Sequence, residues 1–518
     1  MADPTGPPSL TAVGGLQEGE VVNLKAQPSE PDALALVPES YASDHLILPL
    51  RITNDQLLVA CAELPDFQTL NELSILTRYQ IVPVLAVRSD VVDAIRQRYR
   101  LLPSVDAHVE AFNRASLGTP IDSRDSIQEV SEDSPVVRVV SLIISQGLRD
   151  RASDIHIEPQ QHSVRIRYRI DGILTDALAL PKAMGPSLAS RIKVMANMDI
   201  VDRHRAQDGQ IRLEGEDRQV DIRVSTAETI WGEKVVLRLL DQGRTVLSLD
   251  QLGLTESGYD RMSQLLRSPY GMIVVSGPTG SGKTTSLYAA IRELDPISQN
   301  ITTIEDPVEY TLDNINQIQI RRVANLTFAN GLKAILRQDP DVILVGEIRD
   351  LETAEIAIQS ALTGHLVLSS VHATDAAGVV QRFIEMGIEG FLISSALVGV
   401  VAQRLVRRIC VLCREEYEPP ESELVLWREY GSGDKKQFYR GRGCPHCAGT
   451  GYRGRIGVFE VLQLSEAIKL LVSAKAPAQA LREQGLAEGM VSLRADAVQK
   501  VAADMTTLAE VMRCVWVN

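Results

Sequence analysis

The sequence predicts an α/β protein in which a parallel sheet with crossover helices fills the C-terminal half and two smaller α+β modules precede it. Three observations carry this prediction. From about residue 245 onward, short apolar runs alternate with helical patterns, as parallel strands joined by crossover helices require. A glycine-rich loop lies directly between the first of those runs and a helix-compatible segment. Upstream, apolar and polar residues alternate with a period of two beside turn signals, which marks half-buried strands.

Taken in order, residues 1–35 are rich in Pro, Gly, Ser and Glu without apolar periodicity and predict a flexible tail. Residues 36–102 predict a small α+β module, with a strand at Leu57-Leu58-Val59-Ala60-Cys61 and a helix after Ser89 that places Val91, Val92 and Ile95 on one face. Residues 103–132 mix Ser, Asp and Pro without period and predict a linker. Residues 133–244 predict a second α+β domain. Ser134-Pro135 opens its first helix as N-cap and first-turn proline, and strands follow at Ser163–Ile170, ending at the turn Asp171-Gly172, and around Val220–Val224. Residues 245–518 predict the parallel-sheet domain, with strands at Met272–Ser276, Ile301–Ile304, Val342–Val345 and Leu366–Val371.

Composition narrows the class of partner. The chain of 518 residues is 45% hydrophobic and 23% charged, which excludes a wholly disordered polymer. Its 53 basic and 67 acidic residues give a net charge of −14, which opposes a polyanion and argues against a nucleic-acid partner. No run reaches the roughly 18 apolar residues of a spanning helix, and the N-terminus lacks a secretory pattern. The expected location is therefore cytoplasmic, with any membrane contact made through partners.

The loop Gly277-Pro278-Thr279-Gly280-Ser281-Gly282-Lys283-Thr284, followed by Thr285, fits the phosphate-loop pattern at every constrained position. Its glycines let successive backbone N–H groups face inward, and the following helix adds its positive end, so the segment predicts a triphosphate cradle for ATP. Lys283 is placed to grip the β and γ phosphates and Thr284 to ligate Mg²⁺. Acids are expected where parallel strands end. Glu305, Asp306 and Glu309 follow one strand; Gly346-Glu347 follow another. Glu347 fits the acid that helps to hold Mg²⁺, and Glu309 the carboxylate that orients the attacking water. His365 and His372 bracket the strand Leu366–Val371. An isolated histidine is commonly structural, but placement at strand ends points to γ-phosphate sensing.

Cys410-Val411-Leu412-Cys413 and Cys444-Pro445-His446-Cys447 are two Cys-x-x-Cys knuckles about thirty residues apart. Four thiolates predict one closed tetrahedral Zn²⁺ site and a loop-rich lobe inserted at about 408–455. Neither knuckle opens a helix in a redox pattern. Cys61 and Cys514 read as ordinary thiols, and Arg404, Arg407, Arg408 and Arg414 as a solvated basic face.

Together the phosphate loop, the Ile304-Glu305-Asp306-Pro307 box ending at Glu309, the run Leu336–Asp341 leading to Gly346-Glu347-Ile348-Arg349-Asp350, and the box Thr363-Gly364-His365 to Ser370–Asp375 resemble those of secretion ATPases of the type II/type IV pilus group. Ala152-Ser153-Asp154-Ile155-His156-Ile157-Glu158 resembles that family's entry to its nucleotide-covering domain. The resemblance spans roughly residues 40–518. It implies a homo-hexamer in which a PAS-like covering domain closes on a RecA-like ATPase domain. Arg223 and Arg238 match the covering-domain arginines that reach the nucleotide; Arg337, Arg349 and Arg382 match supporting positions on the ATPase side. Lys333 departs from the arginine of close relatives. The N-terminal module is implied to dock on the cytoplasmic domain of an inner-membrane protein, and a polytopic membrane protein to receive the work, which makes the attachment peripheral. The four cysteines disfavour the retraction branch, and the single N-terminal module favours the type II secretion ATPase over pilus extension. A DNA-translocating motor requires a basic channel, and a nucleotide-dependent scaffold differs in lacking turnover.

Overall fold

A computed structural model describes Val22, Leu24, 29–30, 33–34 and 36–516, leaving aside 54, 99–104, 117–133, 215–218, 242–246, 322–323 and 432–434. The N-terminal module is a three-stranded sheet in the order β1 (Ile47–Thr53), β2 (Gln56–Cys61), β3 (Gln80–Leu85), with β1 antiparallel and β3 parallel to β2. A parallel step needs a crossover, and the helix Phe67–Thr77, capped by the Asp66 carboxylate on the Thr69 N–H at 2.8 Å, supplies it. The tail expectation needs correction at the described residues of that stretch. Val22, Leu24 and Ala33 are buried in this core, and the Val22 N–H donates to the Leu85 carbonyl on β3, so sparse apolar residues in a polar stretch still find an edge to pair with. Residues 1–21 lie outside the described residues.

The middle domain is a six-stranded antiparallel sheet. Its strands are β4 (Asp154–Pro159), β5 (Ser163–Ile170), β6 (Ile173–Pro181), β7 (Gln207–Glu214), β8 (Gln219–Thr229) and β9 (Gly232–Asp241), in the order β6-β5-β4-β9-β8-β7. The helix Pro135–Arg149 opens as the sequence predicts, with Pro135 in its first turn and the Ser134 hydroxyl accepting from the Val137 N–H. Its Val136, Val139, Val140 and Ile143 are buried on the sheet. Val105–Ser116, inside the stretch expected to be a linker, is instead a helix. Val105, Val109 and Phe112 recur at a spacing of four and three residues and pack it against the middle-domain core. The remainder of the expected linker, 117–133, lies outside the described residues.

The C-terminal domain carries a seven-stranded sheet in the order β12-β11-β13-β14-β10-β15-β18. These are β10 (Gly271–Ser276), β11 (Ile301–Glu305), β12 (Asn316–Gln319), β13 (Val342–Val345), β14 (Leu366–Val371), β15 (Leu397–Ile409) and β18 (Tyr452–Gln463). Neighbouring strands run parallel as far as β15, and β18 returns antiparallel. Every residue of β10, β13 and β14 is buried, because helices cover both faces. The parallel arrangement brings the carboxyl ends of β10, β11, β13 and β14 to one edge of the sheet, where a ligand can meet residues from several loops.

Between β15 and β18 the chain makes a lobe with a two-stranded antiparallel sheet, β16 (Arg414–Tyr417) and β17 (Phe438–Gly441), and the helix Glu421–Tyr430. The expectation of a loop-rich lobe is thus corrected: Trp427 packs edge-on to Phe438 with ring centroids 5.4 Å apart, and both join the core of the domain. Such a pair adds about 1 kcal/mol beyond its burial. Among the described residues no helix is long and apolar enough to cross a membrane.

Candidate functional site

The phosphate loop leaves the carboxyl end of β10 and enters the helix Lys283–Arg292. Gly277 has φ 149°. A Cβ there would lie 2.5 Å from the Gln403 carbonyl oxygen and 2.6 Å from Ser281 Oγ, so only glycine admits this turn. Gly282, in the left-handed region at φ 88°, starts the helix without a side-chain cap, which leaves the first amides facing outward. A Cβ at Gly280 would meet nothing within 4 Å, so the cradle is open on that side. The loop's underside is fixed by β15, from which Gln403 Nε2 donates to the Ser281 carbonyl at 2.6 Å.

Lys283 Nζ is folded back on its own loop, donating to the carbonyls of Gly277 at 2.9 Å and Pro278 at 3.2 Å. Burial holds its pKa below the ordinary lysine value, Glu347 opposes that effect, and the nearby Arg404 adds to it. An incoming phosphate replaces two neutral acceptors with a charged one. The Thr284 hydroxyl is exposed beside Lys283 and has no hydrogen-bond partner among the described residues, which leaves it available to a cation.

Glu347 follows β13 and lies close to two of the expected residues. Arg349 Nη2 contacts one of its carboxylate oxygens, and His372 Nε2 lies 3.7 Å from the other. Burial first, then the Lys283 charge, lowers the His372 pKa from the ordinary imidazole value, with Arg349 and Arg382 acting in the same direction. Glu347 acts in the opposite direction. Arg382, on the helix Ala376–Glu385, is exposed and 3.6 Å from Glu385.

Glu309 stands on the loop after β11 and meets the middle domain. Arg223, from β8, lies 3.7 Å from its carboxylate and donates to the Val308 carbonyl at 3.3 Å. Arg223 is the cross-strand partner of Arg238 on β9, and Arg238 in turn is paired with Asp154 on β4. Asp154, nearly buried, accepts from Arg238 Nε at 3.0 Å and lies 3.5 Å from Arg169, so it steadies the second arginine of the row. The sequence alone gives Asp154 no such task, because its pairing with two arginines appears only in the strand register.

Two expected residues fall elsewhere. His365 precedes β14, at the end where the parallel strands begin, while Lys283 and His372 lie where they finish. Its Nδ1 is 2.9 Å from the Ser360 carbonyl, and its own carbonyl accepts from Gly271 at the start of β10. Arg337 is exposed just before β13 at that same starting edge, beside the Gln338 carbonyl that Asn300 holds at 2.8 Å. For His365, strand-end placement does not distinguish the two ends of a strand. Lys333 pairs with Glu352 at 2.6 Å across two helices.

The basic cluster expected to be a solvated face is partly internal. Arg404 is half-buried beside the phosphate loop and donates to the Thr374 carbonyl at 2.6 Å. Arg407 forms a fork with the fully buried Glu510 carboxylate, at 2.8 Å and 3.1 Å, and stacks over Tyr452. Arg414 binds Asp504 at 2.8 Å and covers the Tyr439 ring.

The four cysteine sulfurs of the lobe all lie within 4.8 Å of one another and are buried. Neighbouring pairs are 3.8 Å (Cys410–Cys444), 3.9 Å (Cys413–Cys447) and 3.7 Å (Cys444–Cys447). A tetrahedron with Zn–S bonds of about 2.3 Å has edges of about 3.8 Å, so the donor set fits Zn²⁺. Cys447 Sγ also accepts backbone N–H groups from Cys444 and Gly451, which favours a thiolate.

A family model described as Type II/IV secretion system protein matches residues 129–513, and one described as the MshEN domain matches residues 19–105. The type IV pilus assembly ATPase PilB of Myxococcus xanthus is 38% identical over 504 residues, covering 95% of this chain and 88% of that one. The type II secretion system ATPase E of Vibrio cholerae is 45% identical over 417 residues, 80% of this chain and 82% of that one. The type II secretion system protein HxcR of Pseudomonas aeruginosa is 48% identical over 396 residues, 75% and 80% of the two chains. The X-ray structure of the Legionella pneumophila ATPase DotB shares the fold, with a TM-score of 0.54 at 18% identity over 72% of this chain and 94% of that one. The chain belongs to the type II/IV secretion system protein family.

Proposed function

We propose that this chain is the ATP-hydrolysing motor of a type II secretion system, driving pseudopilus assembly and protein export. The observation that carries the reading is the convergence of Lys283, Glu347 and His372 at the edge where the parallel strands finish, with Arg223 arriving from the middle domain against Glu309. The higher identity to type II proteins, 45–48% against 38% for the pilus ATPase, supports the type II assignment.

In this reading the phosphate loop from Gly277 to Thr285 holds ATP. Lys283 leaves its own carbonyls for the phosphates, and Glu309 accepts or orients the proton of the attacking water. Thr284 and Glu347 hold Mg²⁺, which supplies charge neutralisation on the phosphates when bound. Arg223 and Arg238 come with the middle domain, so charge stabilisation of the departing phosphate depends on how that domain sits. Arg349 and Arg382 support from the ATPase side. His372, its pKa held below the ordinary imidazole value, stands next to Glu347 as a donor or acceptor. Cys410, Cys413, Cys444 and Cys447 hold a structural Zn²⁺ with no open position. Assembly is a homo-hexamer; the N-terminal module docks on the cytoplasmic domain of an inner-membrane protein, and a polytopic membrane protein takes up the work. The chain is thereby held at the cytoplasmic face of the inner membrane.

The test is co-purification of the tagged full-length chain with candidate inner-membrane partners, combined with turnover measured with and without them. Capture of a type II partner with stimulated ATP hydrolysis is expected. One observation favours pilus extension instead, the alignment of the pilus ATPase over 95% of this chain including its N-terminal module, and exclusive capture of pilus-assembly membrane proteins would establish that second reading. Stimulation by DNA with a steep salt dependence would overturn both.

A further inference from the structure

The loop that carries Glu309 is tied to the phosphate-loop helix by a buried polar bridge. Tyr288 lies on that helix, five residues after Lys283, and is almost fully buried. Its hydroxyl donates to Glu305 Oε2 at 2.5 Å. Glu305 ends β11 and is itself buried; its other oxygen accepts from Thr303 at 2.6 Å and from Gln317 Nε2 at 3.3 Å. Gln317, on β12, then grips the loop from both sides: its Nε2 donates to the Tyr310 carbonyl at 3.0 Å, and its Oε1 accepts from the Leu312 N–H at 2.7 Å. The Tyr310 ring packs edge-on against Tyr288, with centroids 6.3 Å apart.

We propose that Tyr288 and Glu305 are positioning residues that set the place of Glu309 relative to the bound phosphates. This rests on the reading of Glu309 as the residue that orients water. The sequence singles out Glu309 among three carboxylates that follow one strand and gives Glu305 no task; the structure gives Glu305 a place of its own. Glu305 points inward, away from the outer face where Glu309 meets Arg223: it is buried, and its two oxygens accept from Tyr288, Thr303 and Gln317. Glu309 points outward to meet Arg223. A buried carboxylate is costly unless it is saturated with donors, and here the donors come from three separate elements. The bridge therefore fixes the loop to the one helix whose N-terminus receives phosphate. Displacement of a reacting group by about 1 Å can cost on the order of a hundredfold in rate, so the bridge acts on turnover and leaves the contacts that bind ATP unchanged.

The experiment uses the full-length oligomer. Tyr288→Phe removes the hydroxyl and keeps the ring. The expected result is a fall in kcat of between about tenfold and a hundredfold, with KM and the affinity for a fluorescent ATP analogue unchanged. Combined with Glu309→Gln, Tyr288→Phe should lower single-turnover rates no further than Glu309→Gln does alone. Gln317→Leu, which opens the same bridge from the loop side, should reproduce the kcat loss and covers the case in which Tyr288→Phe does not fold. Parent-like turnover in folded Tyr288→Phe, an equal loss of ATP affinity, or multiplicative losses in the double variant would each overturn the bridge. Full turnover in Glu309→Gln would instead sink the water-orienting role itself, which separates the two failures.

Discussion

The two sheets that meet at Arg223 and Glu309 build their share of the site in opposite ways. In the C-terminal domain parallel strands finish at one edge, and loops after β10, β11, β13 and β14 bring Lys283, Glu309, Glu347 and His372 from residues up to 89 positions apart. In the middle domain nothing gathers at an edge. Antiparallel register lines up Arg169, Asp154, Arg238 and Arg223 on neighbouring strands β5, β4, β9 and β8. The first design allows each loop to change independently. The second makes every arginine depend on its neighbours, since a slip of one residue turns the whole row to the other face.

The sharpest way to break this contrast is Lys283→Ala, which removes the phosphate grip outright. Turnover should fall by about a thousandfold or more, read by phosphate release from the full-length oligomer; activity within tenfold of the parent would mean that the edge is not the site. Next in size is the clamp behind β15. Burial alone would raise the Glu510 pKa, but Arg513 and Arg407 hold it at about 2. With the unfolded value near 4.5, its stabilisation is complete above about pH 5 and is lost as pH falls towards 2, and a shift of this size is worth about 3 kcal/mol. Glu510→Gln should lower stability by that order at pH 7 and leave less difference from the parent near pH 3, measured by denaturant unfolding at both pH values.

Smaller again is Asp154→Asn, which keeps the shape and removes the charge that steadies Arg238. A loss of about tenfold in kcat is expected, with folding intact. The same loss in Arg238→Ala, and no further loss in the pair, would show that Asp154 acts through the arginine row; independent losses would show that the row is not a unit. The smallest effect is electrostatic. Because the Lys283 charge helps to lower the His372 pKa, Lys283→Ala should move that imidazole's titration to higher pH, followed by NMR of the histidine ring.

The phosphate loop and the two cysteine knuckles were legible because each is a contiguous segment whose chemistry is complete within a few residues. The Tyr288–Glu305 bridge and the Arg407–Glu510 clamp were not, since partners 17 and 103 residues apart leave no local mark. His365 is assigned to the site on strand-end position, and the sequence of a strand does not announce which of its ends will border the ligand; Arg337 is assigned on the resemblance, which carries no register. The helix Val105–Ser116 was missed because its apolar stripe is narrow, and Ser116 leads into polar sequence.

One contact between the middle domain and the lobe has a quiet consequence. At the tip of the β5–β6 hairpin the Asp171 carboxylate accepts the Gly454 N–H at 2.8 Å. The lobe contributes only main chain to this contact, and at φ 77° Gly454 is a glycine for backbone reasons of its own. Exchanges of side chains elsewhere along the lobe surface therefore leave the contact untouched, whereas a change at Asp171 to a residue without a side-chain acceptor removes it. A single bond of this kind biases two orientations by roughly 1.5 kcal/mol, about tenfold. The hairpin thus rests on the lobe through one hydrogen bond, a detent that thermal motion by itself releases readily.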